Sequence, residues 1–171
     1  MRKIAFIPLA LLLLNCSSTN TKSLKNAIGE QKTEMTCPEK GDCTIQILEN
    51  KSLDIKSDGA GKVYYSPKDN PNKNIIIYRY TQHKHPNSKL RDAGYIEEVV
   101  FETDKNITSL DYKDADLQKT RMLFGVLCYC KGKAGYYVVE EGSLLYKDNK
   151  LNISLTDIVE LQRIKDISIT F

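Results

Sequence analysis

Four cysteines stand in two close pairs, Cys37 and Cys43 in "CPEKGDC" and Cys128 and Cys130 in "LCYCKG". Thiols so spaced could hold a metal, cycle as a redox couple or close disulfides. Zinc ribbons use C-x2-4-C spacings on tight knuckles, which neither C-x5-C nor C-x-C matches. A redox pair needs exposure and a lowered thiol pKa, whereas Cys128 and Cys130 continue an apolar run that begins at Met122. In a regular strand, residues i and i+2 share a face with Cα atoms about 7 Å apart, at the upper limit for a disulfide. The spacing therefore argues against a bridge between Cys128 and Cys130 themselves.

The only histidines are His83 and His85, in "TQHKHPNSK". On a continued strand both imidazoles would share a face, a spacing used in some metal sites, with Asp92 the nearest further ligand in sequence. A solvated loop between two strands, with Pro86 ending the first, is the simpler account of them. A hydrolase or metal-dependent enzyme would have to use this pair, because no G-x-S-x-G elbow or other nucleophile signature is present. The "GAGK" at 59–62 lacks phosphate-loop spacing and suits a hairpin turn. Glu97-Glu98 and Glu140-Glu141 are adjacent carboxylates. On a strand they face opposite ways, so neither pair forms an acid/base dyad and one member of each is expected in solvent.

Arg2 and Lys3 precede an apolar run, Ile4 to Leu14, whose eleven residues are too few to span a bilayer and fit a signal-peptide core. The run ends in Leu13-Leu14-Asn15-Cys16 and is followed by Ser17-Ser18-Thr19-Asn20. This resembles the lipobox of bacterial lipoproteins, with Leu three residues before Cys and Asn15 where Gly, Ala or Ser is usual. The resemblance covers residues 1–16 and implies cleavage before Cys16 and acylation of its thiol by palmitate-type chains. Two or three acyl chains anchor a protein stably where one holds it marginally. Ser17 does not resemble the aspartate that retains some lipoproteins in an inner membrane, which favours an outer membrane.

Cleavage leaves 23 basic against 22 acidic residues, a net charge of +1. Interspersed and nearly balanced, these charges argue against nucleic acid or an anionic surface as the main partner. The mature length fits one domain that buries about 70% of its unfolded surface. With Cys16 assigned to lipid, an even number of cysteines in an exported chain reads first as a disulfide framework. Cys128 and Cys130 share a face with Phe124 and Val126, and Cys43 shares one with Ile45 and Ile47. The economical arrangement joins "CPEKGDC" to the 122–131 strand by two bridges. Each would close a loop of about 85 to 95 residues, worth up to about 4 to 5 kcal/mol before strain. Local pairing of Cys37 with Cys43, beside a strained or reactive 128/130 pair, and a four-thiolate site are the alternatives.

The elements that would position these groups are strands. Thr44–Leu48, Leu53–Ser57, Val63–Ser66, Ile75–Gln82, Tyr95–Thr103, Met122–Lys131, Tyr136–Glu141, Leu144–Tyr146, Leu151–Leu155 and Ile167–Phe171 are β-rich and divided by turn residues such as 58–61, 68–72, 132–135 and 147–150. Met122 to Tyr129 is apolar on both faces and should be central. The fold class expected is all-β, mainly antiparallel, about ten short strands as a sandwich or barrel. One or two short helices are expected at most, at Asp114–Arg121 and Thr156–Ile164. The domain plan is a signal peptide over 1–15, a lipidated Cys16 and flexible tether over 16–36 with only a marginal helix near Leu24, and one β-rich domain over 37–171.

Ten tyrosines and no tryptophan place several phenols on strands, among them Tyr64, Tyr65, Tyr78, Tyr80, Tyr129, Tyr136 and Tyr137. Some should face outward, where they suit protein contact, while the rest pack. The function expected is a non-enzymatic binding or structural module, attached to the cell envelope at Cys16, without cofactor, acting on an envelope protein. A lipocalin-like carrier of a small hydrophobic ligand is the alternative should the sheet close around an apolar interior.

Overall fold

Alternation over Ile75–Tyr80 sends Ile75 and Ile77 to one side and Ile76, Tyr78 and Tyr80 to the other, and all five are buried. The strand carrying them is covered on both faces. The structure, a computed structural model, describes residues 22–29, 34–84 and 94–171. Its strands are β1 (Glu34–Met35), β2 (Gly41–Ser57), β3 (Val63–Gln82), β4 (Tyr95–Asp104), β5 (Leu110–Lys113), β6 (Leu123–Cys128), β7 (Gly135–Val138), β8 (Gly142–Lys147), β9 (Lys150–Leu155) and β10 (Asp166–Thr170). They form two five-stranded antiparallel sheets, ordered β1-β10-β9-β8-β5 and β2-β3-β4-β6-β7. The fold is all-β, two sheets packed face to face. Among the described residues helix is confined to α1 (Leu24–Ile28) and a 3-10 helix over Asp114–Thr120, the latter at the first of the two helical positions expected.

The second sheet also closes on itself. One edge of β3 pairs with β2 along its length, while the other pairs with β4 over Lys73–Thr81 and with β7 at Val63, opposite Tyr136. A strand can serve both ends of one sheet only if it bends, and the bend is at 69–74. Glu49 stands opposite Asn74 but Lys51 opposite Asp69, so β3 carries extra residues there, Pro71 among them. Such a bulge bends a strand and tolerates proline's missing N–H. The turn expected at 68–72 is thus an irregularity within one long strand, and four expected strands are two. Asn74, buried, holds the bend by accepting the Asn50 N–H at 3.1 Å and donating to the Lys105 carbonyl at 3.1 Å. The hairpin end at Asp58–Gly61 is as expected, with Asp58 accepting the N–H groups of Ala60 and Lys62.

Two cores follow. The larger lies between the sheets, where Ile76, Tyr78, Val99, Phe101 and Phe124 meet Leu144, Tyr146, Ile153 and Ile167. The smaller, Leu53, Ile75, Ile77 and Val100, fills the closed sheet. Met122 to Val126 is covered on both sides, as its composition required, but the expectation fails at the end of the run, where Leu127 and Tyr129 are exposed.

One row of residues runs around the closed sheet in register, Arg79 opposite Glu98, Glu98 opposite Gly125, Gly125 opposite Tyr136 and Tyr136 opposite Val63. The Tyr136 hydroxyl donates to Glu98 Oε1, and Arg79 Nε donates to Oε2 at 3.0 Å. The gap between Glu98 and Tyr136 is bridged over a residue without a side chain. A Cβ at Gly125 would lie 2.5 Å from the Tyr136 ring and 3.1 Å from Glu98 Cγ.

Two expectations are corrected. Residues 24–28 and 34–35, assigned to the tether, belong to the domain. Ser23 caps α1 by accepting the Asn26 N–H, Leu24 and Ala27 are fully buried, Leu24 N–H donates to the Ile107 carbonyl, and β1 pairs with β10. Tertiary burial stabilises a helix that would be marginal alone. The helix expected over Thr156–Ile164 is an irregular loop, for reasons given below. No helix among the described residues is long and apolar enough to cross a membrane.

Gly125→Ala forces a methyl into the Tyr136–Glu98 contact and is expected to destabilise by about 1–3 kcal/mol. The check is a lower urea midpoint at unchanged slope. Tyr136→Phe removes one partner of a buried carboxylate and should cost a similar amount, about 1–3 kcal/mol.

Candidate functional site

The cysteines pair locally. Cys37 and Cys43 are bridged with Cα atoms 5.6 Å apart, and Cys128 and Cys130 lie at disulfide distance with Cα atoms 5.2 Å apart. The two-bridge staple between these segments is therefore corrected. Between β2 and β6 lie β3 and β4, three spacings or about 14 Å, far beyond the reach of a disulfide. The objection to a 128/130 pair assumed a regular strand, but β6 ends at Cys128 and the chain bends at Tyr129. The half-buried Cys43, Cys128 and Cys130 pack against the main core, and the Tyr78 hydroxyl donates to Cys43 Sγ at 3.0 Å. Closing such short loops restricts the unfolded chain far less than the long loops expected.

His83 is exposed, with Nε2 3.1 Å from an exposed Asp42 carboxylate. His85, Asp92 and Cys16 lie outside the described residues. Among the described residues, no three His, Cys, Asp or Glu side chains gather where they could hold a metal ion.

The buried carboxylates among the described residues are on β4, where sequence reasoning missed them. Glu97 and Glu98 do face opposite ways, but neither is in solvent, and Glu102 is buried as well. Glu98 and Glu102 point into the closed sheet, where Glu102 accepts the Leu53 N–H at 2.7 Å with Arg121 3.9 Å away. Glu97 points between the sheets. It accepts the N–H of Arg163 at 2.9 Å, the N–H of Ile164 at 2.7 Å and the Tyr95 hydroxyl at 2.5 Å. Backbone donors satisfy a buried carboxylate as well as a cation would.

Glu97 thereby fixes the loop that follows β9. Gln162, also buried, ties the same loop to itself, accepting the Ile158 N–H at 2.8 Å and donating to the carbonyls of Thr156 and Ile164. These bonds satisfy the backbone in a non-helical path and explain the absent helix. Ile164 turns inward and Leu161 turns out, 71% exposed, with a left-handed φ of 62°. A bulky γ-branched aliphatic residue gains nothing locally from that conformation.

Leu161 borders a cleft of about 230 Å³ that it shares with Tyr95, Cys130, Lys133 and Arg163. On the other side of the cysteine turn, Leu127, Cys128 and Tyr129 line a shallow apolar cleft with Val126, Ala134 and Gly135. Tyr129 is 91% exposed and Leu127 38%. Lys133 ties the two sides together, donating to the Glu160 carbonyl at 3.2 Å and pairing with its carboxylate. Of the tyrosines, only Tyr129 and the half-covered Tyr64 stand out among the exposed large residues. The others serve packing: Tyr65 lies edge-on to Tyr136, and Tyr146 donates to the Lys22 carbonyl.

Burial holds the phenols of Tyr78 and Tyr146 up to about 12. Tyr95 and Tyr136 are pushed higher still, first by burial and then by donation to Glu97 and Glu98. No family model, curated protein or solved structure matches this chain.

Digestion without reduction is expected to leave Cys37 linked to Cys43 and to yield no species joining either to Cys128 or Cys130. A cross-linked 37/128 or 43/130 peptide would refute the local pairing. The phenols supply a second expectation. Tyrosines of the unfolded chain ionise near pH 10, about two units below those folded values, so neutral phenols stabilise the fold fully below about pH 10 and that contribution fades as pH rises through 12. Urea midpoints should fall steeply above about pH 10, with the phenolates of Tyr78 and Tyr146 forming as the protein unfolds. Tyr78→Phe should flatten the fall.

Proposed function

We propose that this chain is an envelope lipoprotein, acylated at Cys16 and carried by an outer membrane, whose β domain is a non-enzymatic contact module for another envelope protein. The contact surface in this reading is Leu127, Tyr129 and Leu161 around the cysteine turn. The observation that carries it is Leu161. A large apolar side chain is displayed to solvent in a left-handed conformation costing about 1–2 kcal/mol, and two buried side chains, Glu97 and Gln162, hold it there. Strain maintained against both solvent and local preference is characteristic of residues kept for recognition. A pre-set loop also loses little entropy on binding.

The interior of the closed sheet favours contact over carriage. Leu53, Ile75, Ile77 and Val100 already fill it, and Glu98 and Glu102 would face any apolar guest. His83 is exposed and its ion-pair partner, Asp42, is exposed as well, so the pair sits on open surface with no cleft among the described residues around it to enclose a substrate.

The test has two parts. Cys16→Ser should abolish incorporation of labelled palmitate and release the protein from membranes. A photo-crosslinking side chain at position 129 in the native cell should capture one discrete partner, whereas one at Leu145 on the far sheet should not. Leu161→Asn relieves the left-handed strain, so it should leave stability unchanged or raise it by up to about 1 kcal/mol while reducing capture at least severalfold. Undiminished capture would remove Leu161 from the surface.

A further inference from the structure

Given the acylation of Cys16 proposed above, on which this step rests, the structure assigns opposite ends of the domain to membrane and partner. The end holding α1 and the β8–β9 hairpin sits on the headgroup layer of the bilayer that carries the acyl chains. The end holding Tyr129 and Leu161 points away from it.

The described chain begins at Lys22, which is fastened at once. Its N–H donates to Asn149 Oδ1 at 3.0 Å, its carbonyl accepts the Tyr146 hydroxyl at 2.8 Å, and two residues later Leu24 N–H donates to the Ile107 carbonyl at 2.9 Å. Asn149 precedes β9, and Ile107 follows β4. The opposite end of β9 leads into the loop that displays Leu161, and the opposite end of β4 is Tyr95, paired with Cys128. Two strands, one from each sheet, thus run from the point of attachment to the contact surface. Ten residues of β4 separate these ends by about 30 Å.

Only residues 17–21 lie between Cys16 and Lys22, so the fastening point is held within about 22 Å of the acylated residue. A link that short cannot let a domain of this length turn over. Lys147 and Lys150 are exposed and stand opposite each other beside that fastening point, offering cations to lipid phosphates, with Asp148 between them. Residues of the contact surface are thereby presented to the space beyond the headgroups, where a partner rooted elsewhere in the envelope can reach them.

The full acylated chain in vesicles of phosphatidylethanolamine and phosphatidylglycerol, with an energy acceptor on the headgroups, provides the test. A fluorescent donor is placed as an unnatural side chain at position 148 or at position 129. Transfer should be about tenfold or more faster from 148, from the 30 Å difference in height along β4. Twenty Gly and Ser residues inserted between Asn20 and Thr21 should bring the two rates together. Equal rates from the native-length chain would overturn the orientation while leaving acylation intact. Absence of acyl mass on the Cys16 peptide would instead overturn both readings.

Discussion

The pairing of Val63 with Tyr136 is the constraint on which the second sheet depends, because it returns β7 to β3 and, among the described residues, leaves β2 at the sheet's edge. A single backbone pair would not hold a bent hairpin alone. It is held because Tyr136 reaches across Gly125 to Glu98, itself gripped by Arg79 from the next strand. Removing water strengthens these bonds and raises the cost of breaking any one of them. The row is therefore all-or-none: the glycine, the carboxylate and the phenol are each useful only with the others present.

A second buried carboxylate, one residue away, does different work. Glu98 faces into the closed sheet and completes it, while Glu97 faces the main core and receives the backbone of the loop across the sandwich opening. The strand's period of two turns adjacent identical residues into ties for two separate regions. The loop so held is the most exposed apolar feature of the described surface after Tyr129. That end of the molecule combines a backbone held by buried side chains with exposed apolar groups.

The cysteines belong to the same end. Cys43 pairs in register with Tyr80, and Cys128 with Tyr95, so both cysteine pairs sit at this end and neither spans the core. Their loops are short, so they add little to global stability by restricting the unfolded chain. Their effect is on local shape: one holds the segment before β2, the other the turn that lifts Tyr129 into solvent.

Composition and alternation determined much of this protein. Period two and turn residues are local properties, so the all-β class, the hairpin at Asp58–Gly61, the doubly covered stretch Met122 to Val126 and the short helix near Asp114 were all legible in the sequence. So was the resemblance of residues 13–16 to a lipobox. What sequence could not supply was which strands neighbour which. That order set β2 and β6 three spacings apart and dissolved the expected staple. It gave Glu97 and Glu98 partners 66 and 38 residues away, burying two groups that local reasoning left partly in water. It also docked Leu24 and Ala27, which a composition-based reading leaves in a tether, and replaced a plausible helix at 156–164 by a loop tied to Glu97. In each case the deciding energy came from contacts between residues far apart in the chain. Such contacts exist only once the fold has brought them together.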